Sequence, residues 1–149
     1  MALIHVSAEG DVGAPAEQVY SYLADMREHH HRFLPPAFED FEVESGGRGA
    51  GTIFHFKMNA GGRSRSYRMQ VAEPDPGRVL TESDLGSSLV TTFTVEPAGA
   101  GACQVRIESG WEGASGIGGF FERLFAPRVL RRLYADELKR LDAYAREQA

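Results

Sequence analysis

The sequence predicts an α+β domain, a curved antiparallel β-sheet wrapped around one long C-terminal helix. Three observations carry this. Between about residue 38 and Trp111, apolar and polar residues alternate in short runs separated by Gly- and Pro-rich turns, the period-two signature of half-buried strands. The last third changes to helical spacing, with Ile117, Phe120, Phe121, Leu124, Leu130, Leu133, Tyr134, Leu138 and Leu141 forming an apolar stripe. Ahead of the strand run, "APAEQVYSYLAD" reads as a short amphipathic helix behind a first strand. The expected order is one strand, one or two short helices, about six strands and the long helix, about seven strands in all.

Each element follows from its residues. "LIHVSAEGDV" alternates as a strand, and Pro15 sits where a helix tolerates proline, in its first turn. Val19, Tyr20 and Leu23 then share one helix face. A second helical piece is expected from Asp25 to about Phe33, ended by Pro35 and Pro36, which restrict the preceding residue and lack an amide donor. "FEDFEVES" places Phe41 and Val43 on one face, and "TIFHFKM" turns Phe54, Phe56 and Met58 inward and His55 and Lys57 outward. "GGRGAG" and "NAGG" read as hairpin turns. "RSRSYRMQVAE" puts Tyr67, Met69 and Val71 on one side, and "PDPG" turns the chain into "RVLTESDL". "SLVTTFTVEP" and "CQVRIESGW", joined by "AGAGA", complete the sheet. Ser115 is the expected N-cap of the long helix, and Pro127 should kink or break it.

The 149 residues are the size of one domain, and no linker or repeat divides them, so residues 1–149 are read as a single unit. Hydrophobic residues make up 42% and charged residues 25%, a soluble profile without an apolar run long enough to span a membrane. The N-terminus lacks the basic-then-apolar pattern of a signal peptide. A single cysteine, Cys103, excludes an internal disulfide and fits a reducing compartment, so the cytoplasm is the expected location. Sixteen basic against 21 acidic residues, net −5, argue against nucleic acid as a partner. Arg123, Arg128, Arg131 and Arg132, flanked by acidic Glu122, Asp136 and Glu137, read as a solvated helix face.

The stretches "APAEQVYSYLADM", "FEVESGGRGAGTIFHFKM", "VAEPDPGRVLTE", "TTFTVEPAGAGACQVRIESGW" and "LFAPRVLRRLYADELKRLDAYA" together resemble the START-like, helix-grip superfamily, also called SRPBCC. The chain is most similar to small bacterial members described as polyketide cyclase/dehydrase or lipid transport. The resemblance implies a cavity between the concave sheet face and the long helix, used for a hydrophobic ligand such as a lipid, polyketide or aromatic metabolite. Aromatic and sulfur side chains crowd the expected inner face, but the sequence leaves open whether that core is hollow or filled. Phe54, Phe56, Tyr67, Met69, Thr91, Phe93, Ser109, Trp111 and Phe121 are the candidate ligand contacts.

For chemistry, Glu82 and Asp84 share the lane of Leu80, and two carboxyls on one side of a strand can push each other's pKa apart to act as acid and base. A one-residue bulge would exchange the faces and turn Val79, Thr81 and Ser83 inward instead. Arg63 and Arg65 share the lane of Tyr67 and could hold a ligand carboxylate. "GGRGAG" lacks the spacing of a dinucleotide fingerprint, and the amides of "GASGIGGFF" could meet an anionic group or simply let strand and helix join closely. His29, His30 and His31 point about 100° apart on a helix, so the three cannot converge on one ion; a surface corner is expected, with an inward-facing histidine, or a site joining one of them to His55 or a carboxylate elsewhere, left open.

Three functions therefore stand side by side. The first is binding of a hydrophobic small molecule, the second a polyketide cyclase/dehydrase-type enzyme, the third a protein-interaction module. No residue calls for a metal or cofactor, no membrane span is expected, and a homodimer is left open.

Overall fold

The computed structural model describes residues 3–60, 63–113 and 116–148, with the side chains of residues 60, 63 and 116–126 outside the description. The elements run β1 (Leu3–Val12), α1 (Ala16–Ala24), a 3₁₀ turn (His30–Phe33), β2 (Phe38–Ser45), β3 (Ile53–Ala60), β4 (Arg63–Asp75), β5 (Val79–Asp84), β6 (Val90–Pro97), β7 (Cys103–Glu112) and α2 (Gly116–Glu147). All seven strands pair antiparallel in one sheet of order β1-β7-β6-β5-β4-β3-β2. Chain neighbours pair directly from β2 to β7, as short turns dictate, and β1 closes on β7 from Leu3↔Glu112 to Val12↔Cys103.

One sheet face is the core. Ile4, Val6 and Val12 of β1, Phe54 and Phe56 of β3, Met69 and Val71 of β4, Leu80 of β5, Phe93 and Val95 of β6, and Val105 and Ile107 of β7 are all buried on it. The alternation expected from the sequence holds on every one of these strands. The opposite face carries ion pairs, among them His55 with Glu42 and Glu44, and Arg106 with Glu9 and Glu108. Tyr134, Leu138, Leu141 and Ala145 bury the C-terminal half of α2 against the core. The helix packs on β1 at Gly10, where an added Cβ would lie 3.4 Å from Leu138 Cβ. No helix among the described residues is long and apolar enough to cross a membrane.

The turn between β2 and β3 needs glycine, since Gly46 and Gly49 adopt φ of 72° and 69°. It is more than a hairpin loop. Gly49 N–H donates to the Ala24 carbonyl, and Met26 N–H to the Gly47 carbonyl, tying the turn to the end of α1. Glu73 of β4 accepts from the Tyr20 hydroxyl at 2.7 Å and from Ala50 N–H at 2.8 Å, and Arg48 pairs with buried Asp25 at 2.7 Å. The α1 helix, the turn and the sheet are thereby locked together.

Three expectations change. The helical piece after α1 is a run of turns from Met26 to His29 followed by a 3₁₀ helix only four residues long. Its polar side chains bond their own backbone, with His31 and Arg32 to the carbonyls of Arg27 and Glu28, and Pro35 stops further growth. Pro127 does not end α2, which continues through it to Glu147. A proline removes one amide donor and crowds one carbonyl, and the stripe of Tyr134, Leu138 and Leu141 beyond it is held by the sheet. The β4 strand runs on to Asp75, two residues past the expected end. The Ser115 cap and the tip of "NAGG" lie outside the described residues.

Core packing of α2 can be tested directly. Leu141→Ala, at a site 1% exposed, should lower unfolding free energy by about 2–5 kcal/mol in urea denaturation, while Leu85→Ala, 47% exposed, should change it by less than about 0.5 kcal/mol. Equal effects would mean α2 is not seated on the sheet.

Candidate functional site

A row of polar residues crosses the middle of the concave face. Strand register places Glu82 of β5 opposite Thr91 of β6, and Thr91 opposite Ser109 of β7. Val71 and Val6 continue the row on either side, and the neighbouring row is Leu80, Phe93 and Ile107. Glu82, Thr91 and Ser109 are buried, so hydrophilic side chains are embedded in an otherwise apolar surface. From above, α2 contributes Tyr134 and Glu137, and the 3₁₀ turn contributes His30, all three buried.

The hydroxyls form a chain. Thr91 Oγ1 lies 2.6 Å from Ser109 Oγ, which lies 2.5 Å from Tyr134 OH. His30 is set by its own turn: Nδ1 donates to the Leu23 carbonyl at 2.6 Å, which leaves the Nε2 lone pair facing inward. Phe33 stacks on the imidazole with centroids 5.0 Å apart, and Phe93 meets it edge-on at 5.5 Å. Glu82 Oε2 and Glu137 Oε2 approach that same Nε2 at 3.9 and 3.8 Å. Neither oxygen has a hydrogen-bond partner among the described residues.

Despite their spacing these groups are not ion pairs. Burial lowers the His30 pKa to about 4, with the Leu23 hydrogen bond opposing the shift and His31 adding to it. Burial raises the Glu82 carboxyl to about 8. Glu137 is pushed well above the usual carboxyl range by burial first, then by Glu82 and Asp136. Near neutral pH the site therefore holds its protons on carboxyls and keeps a neutral imidazole. An un-ionised carboxyl can donate to a carbonyl or hydroxyl oxygen, and the free imidazole nitrogen can accept a proton.

The residues expected from sequence fall into place unevenly. Glu82 and Asp84 are both on the buried lane of β5, as the Leu80 lane requires. The carboxyl that meets Glu82 is nevertheless Glu137 and not Asp84. Asp84 is committed to the β5–β6 turn, where its Oδ2 accepts from Ser87 Oγ at 2.6 Å and its Oδ1 from Gly86 N–H at 3.2 Å. Phe54, Phe56, Met69, Thr91, Phe93 and Ser109 are buried on the concave face, with Tyr67 and Trp111 half-buried against the same cluster. Phe121 and Arg63 have side chains outside the described residues. Arg65 is exposed, with its guanidinium 5.1 Å from the Tyr67 ring centroid. His30 is the one histidine of its run that is buried, while His29 bonds Tyr144 OH. An open groove of about 600 Å³ along β3 and β4 is lined by the charged outer-lane residues His55, Lys57, Arg68 and Glu44 and also by Phe56, Tyr67 and Asp84.

Glu137 and Tyr134 escaped the sequence reading as site residues. Tyr134 passed as core, and Glu137 as part of the polar face. The signal was present, because Glu137 stands three residues after Tyr134 and four before Leu141, inside the apolar stripe.

The raised carboxyls fix the direction of a pH effect. Glu82 goes from about 4.5 when unfolded to about 8 when folded, so its protonated burial stabilises fully below about pH 4.5 and that contribution is lost as pH rises through about 8. Glu137 acts in the same sense, and His30 in the opposite one, its contribution being lost as pH falls from about 6.5 through about 4. Glu82→Gln should therefore flatten the decline in unfolding free energy between about pH 4.5 and about pH 8, by up to about 1.4 kcal/mol per pH unit. An unchanged slope in urea titrations would show Glu82 ionised and solvated.

Comparison with known proteins places this geometry in a wider group. The family model described as "Polyketide cyclase / dehydrase and lipid transport" matches residues 4–146. A solution structure of the KanY protein is 31% identical, with 98% of this chain and 99% of that one covered and a TM-score of 0.85. The Zhui aromatase/cyclase from Streptomyces sp. R1128 shares the fold at 19% identity and a TM-score of 0.82, covering 99% and 96% of the two chains. A START superfamily protein from Mycobacterium smegmatis does so at 16% identity and 0.73, covering 93% and 97%. No match is found among curated proteins. With a family match over nearly its whole length and the helix-grip arrangement of sheet and C-terminal helix, this chain belongs to the polyketide cyclase/dehydrase and lipid-transport family.

Proposed function

We propose that this protein binds a hydrophobic small molecule, of the lipid, polyketide or aromatic-metabolite kind, between the concave sheet face and α2. The observation that carries the reading is the pair of buried carboxyl oxygens without partners, set in an apolar wall. Leaving a buried polar atom unsatisfied costs about 1–3 kcal/mol, which a bound ligand's polar end would offset. Phe54, Phe56, Tyr67, Met69, Phe93 and Trp111 are the apolar wall, with Phe121 assigned to it from its place in the sequence. Thr91 and Ser109 meet the ligand's oxygen functions. Family membership and the aromatase/cyclase relative support the same ligand class.

A second reading, cyclase/dehydrase-type catalysis, is favoured by the approach of His30 Nε2 to Glu82 and Glu137. Proton donation from Glu82 and uptake at His30 would serve an enolisation or loss of water, and Asp84 would act by holding the strand end that carries Glu82. The interaction-module reading has less behind it. Its support among the described residues is limited to three exposed large apolar side chains, Leu3, Leu85 and Val90.

Trp111, the one tryptophan of the chain, provides the readout. Titration with a hydroxynaphthalene probe should quench its emission saturably, and Tyr67→Ala should weaken binding about three- to tenfold with little loss of stability. Absence of saturable quenching, together with native mass spectra free of any bound organic molecule, would remove the binding reading. If the protein is an enzyme, Glu82→Gln should cut turnover of a poly-β-keto substrate by about 10²-fold or more while leaving substrate binding in place.

A further inference from the structure

Three polar atoms converge at the centre of the buried cluster: a lone-pair nitrogen and the oxygens of two carboxyls, either of which can give its proton to a bound amine. His30 has its ring proton on Nδ1, spent on the Leu23 carbonyl, so Nε2 offers a lone pair. Glu82 Oε2 and Glu137 Oε2 stand 3.9 and 3.8 Å from it with no partner of their own, in side chains 7% and 3% exposed. These separations are too long for hydrogen bonds between the three, yet short enough for all of them to share one central group.

From this we infer that the hydrophobic ligand carries a basic nitrogen, and that its ammonium group is held by His30, Glu82 and Glu137. The inference rests on the binding reading above and specifies the ligand's polar end. A bound amine can take the proton of one carboxyl and, as an ammonium, donate to that carboxylate, to Nε2 and to the second carboxyl, whereas a hydroxyl makes only neutral hydrogen bonds there and gains no charge-assisted contact. Acceptors about 2.8 Å from a tetrahedral nitrogen lie up to about 4.6 Å apart, so the cluster accepts the group with little movement. Among the described residues no group of three or more His, Cys, Asp and Glu is placed to hold a metal ion. A ligand carboxylate would face two carboxyl groups and no cation. The rings of Phe33 and Phe93 beside His30 suit the hydrocarbon next to the charge and add an aromatic environment that favours cations.

Three probes with one hydrophobic body separate the possibilities: naphthylmethylamine, naphthylmethanol and naphthoic acid, titrated into the full chain by calorimetry. The amine should bind at least about tenfold more tightly than the alcohol, and the acid most weakly. In Glu137→Gln the amine's advantage should fall below about threefold, with the alcohol's affinity held; Glu82→Gln provides the same comparison should the first variant fold poorly. Equal binding of all three probes, or an amine preference that survives in both variants, would overturn the ammonium assignment while leaving the hydrophobic site standing. Failure of all three to bind would overturn the site and the assignment together. Stabilisation by Zn²⁺ alone, lost in Glu137→Gln, would replace the ammonium by a metal ion and likewise overturn it.

Discussion

The seating of α2 on the bare backbone of β1 is the contact on which the rest depends. At Gly10 the helix approaches until Leu138 touches the strand, and Tyr134, Leu141 and Ala145 complete the closure. Only when that face is covered do Glu82, Glu137 and His30 lose water. Their altered proton affinities are a consequence of helix packing, since burial is the leading cause of each shift. A sheet whose concave side stayed wet would leave the same residues ordinary.

A second constraint works from the other side. The Gly46–Gly51 turn, Glu73 and Asp25 fasten α1 and the segment after it to the sheet through short hydrogen bonds. That anchoring sets the start of the 3₁₀ turn, and with it the position from which His30 enters the core. His30 is thus carried by a segment rich in polar surface residues, while its own ring is held by the Leu23 carbonyl and Phe33. Stability and site geometry come from the same contacts, and a change in the turn would be felt at the cluster.

The cluster also explains how one fold could serve carriers and enzymes. A buried carboxylic acid beside a neutral imidazole is able to bind a polar end group or to move its proton. Which of these occurs depends on what the ligand offers at that point. The hydroxyl chain from Thr91 through Ser109 to Tyr134 adds a polar flank carried by two strands and α2 and not by loops.

Much of the architecture was legible in the chain itself. Period-two alternation in "TIFHFKM", "YRMQV" and "CQVRIES" determined which side chains face inward, because a strand's geometry allows no other arrangement once one lane is apolar. Helical spacing did the same for Leu138 and Leu141, and the lane of Leu80 already pointed Glu82 inward. Pro127 does not break the helix, because the local rule for proline takes no account of a helix held down by a sheet beyond it. The pairing of Glu82 with Glu137, and the entry of His30 from among three consecutive histidines, belonged to the tertiary structure alone. These residues lie far apart in the chain and meet only where strand, turn and helix converge, and no local period records such a meeting. Their chemistry likewise belongs to the folded state, because desolvation arises from the packing of distant segments around a group and is not written in the residue or its neighbours.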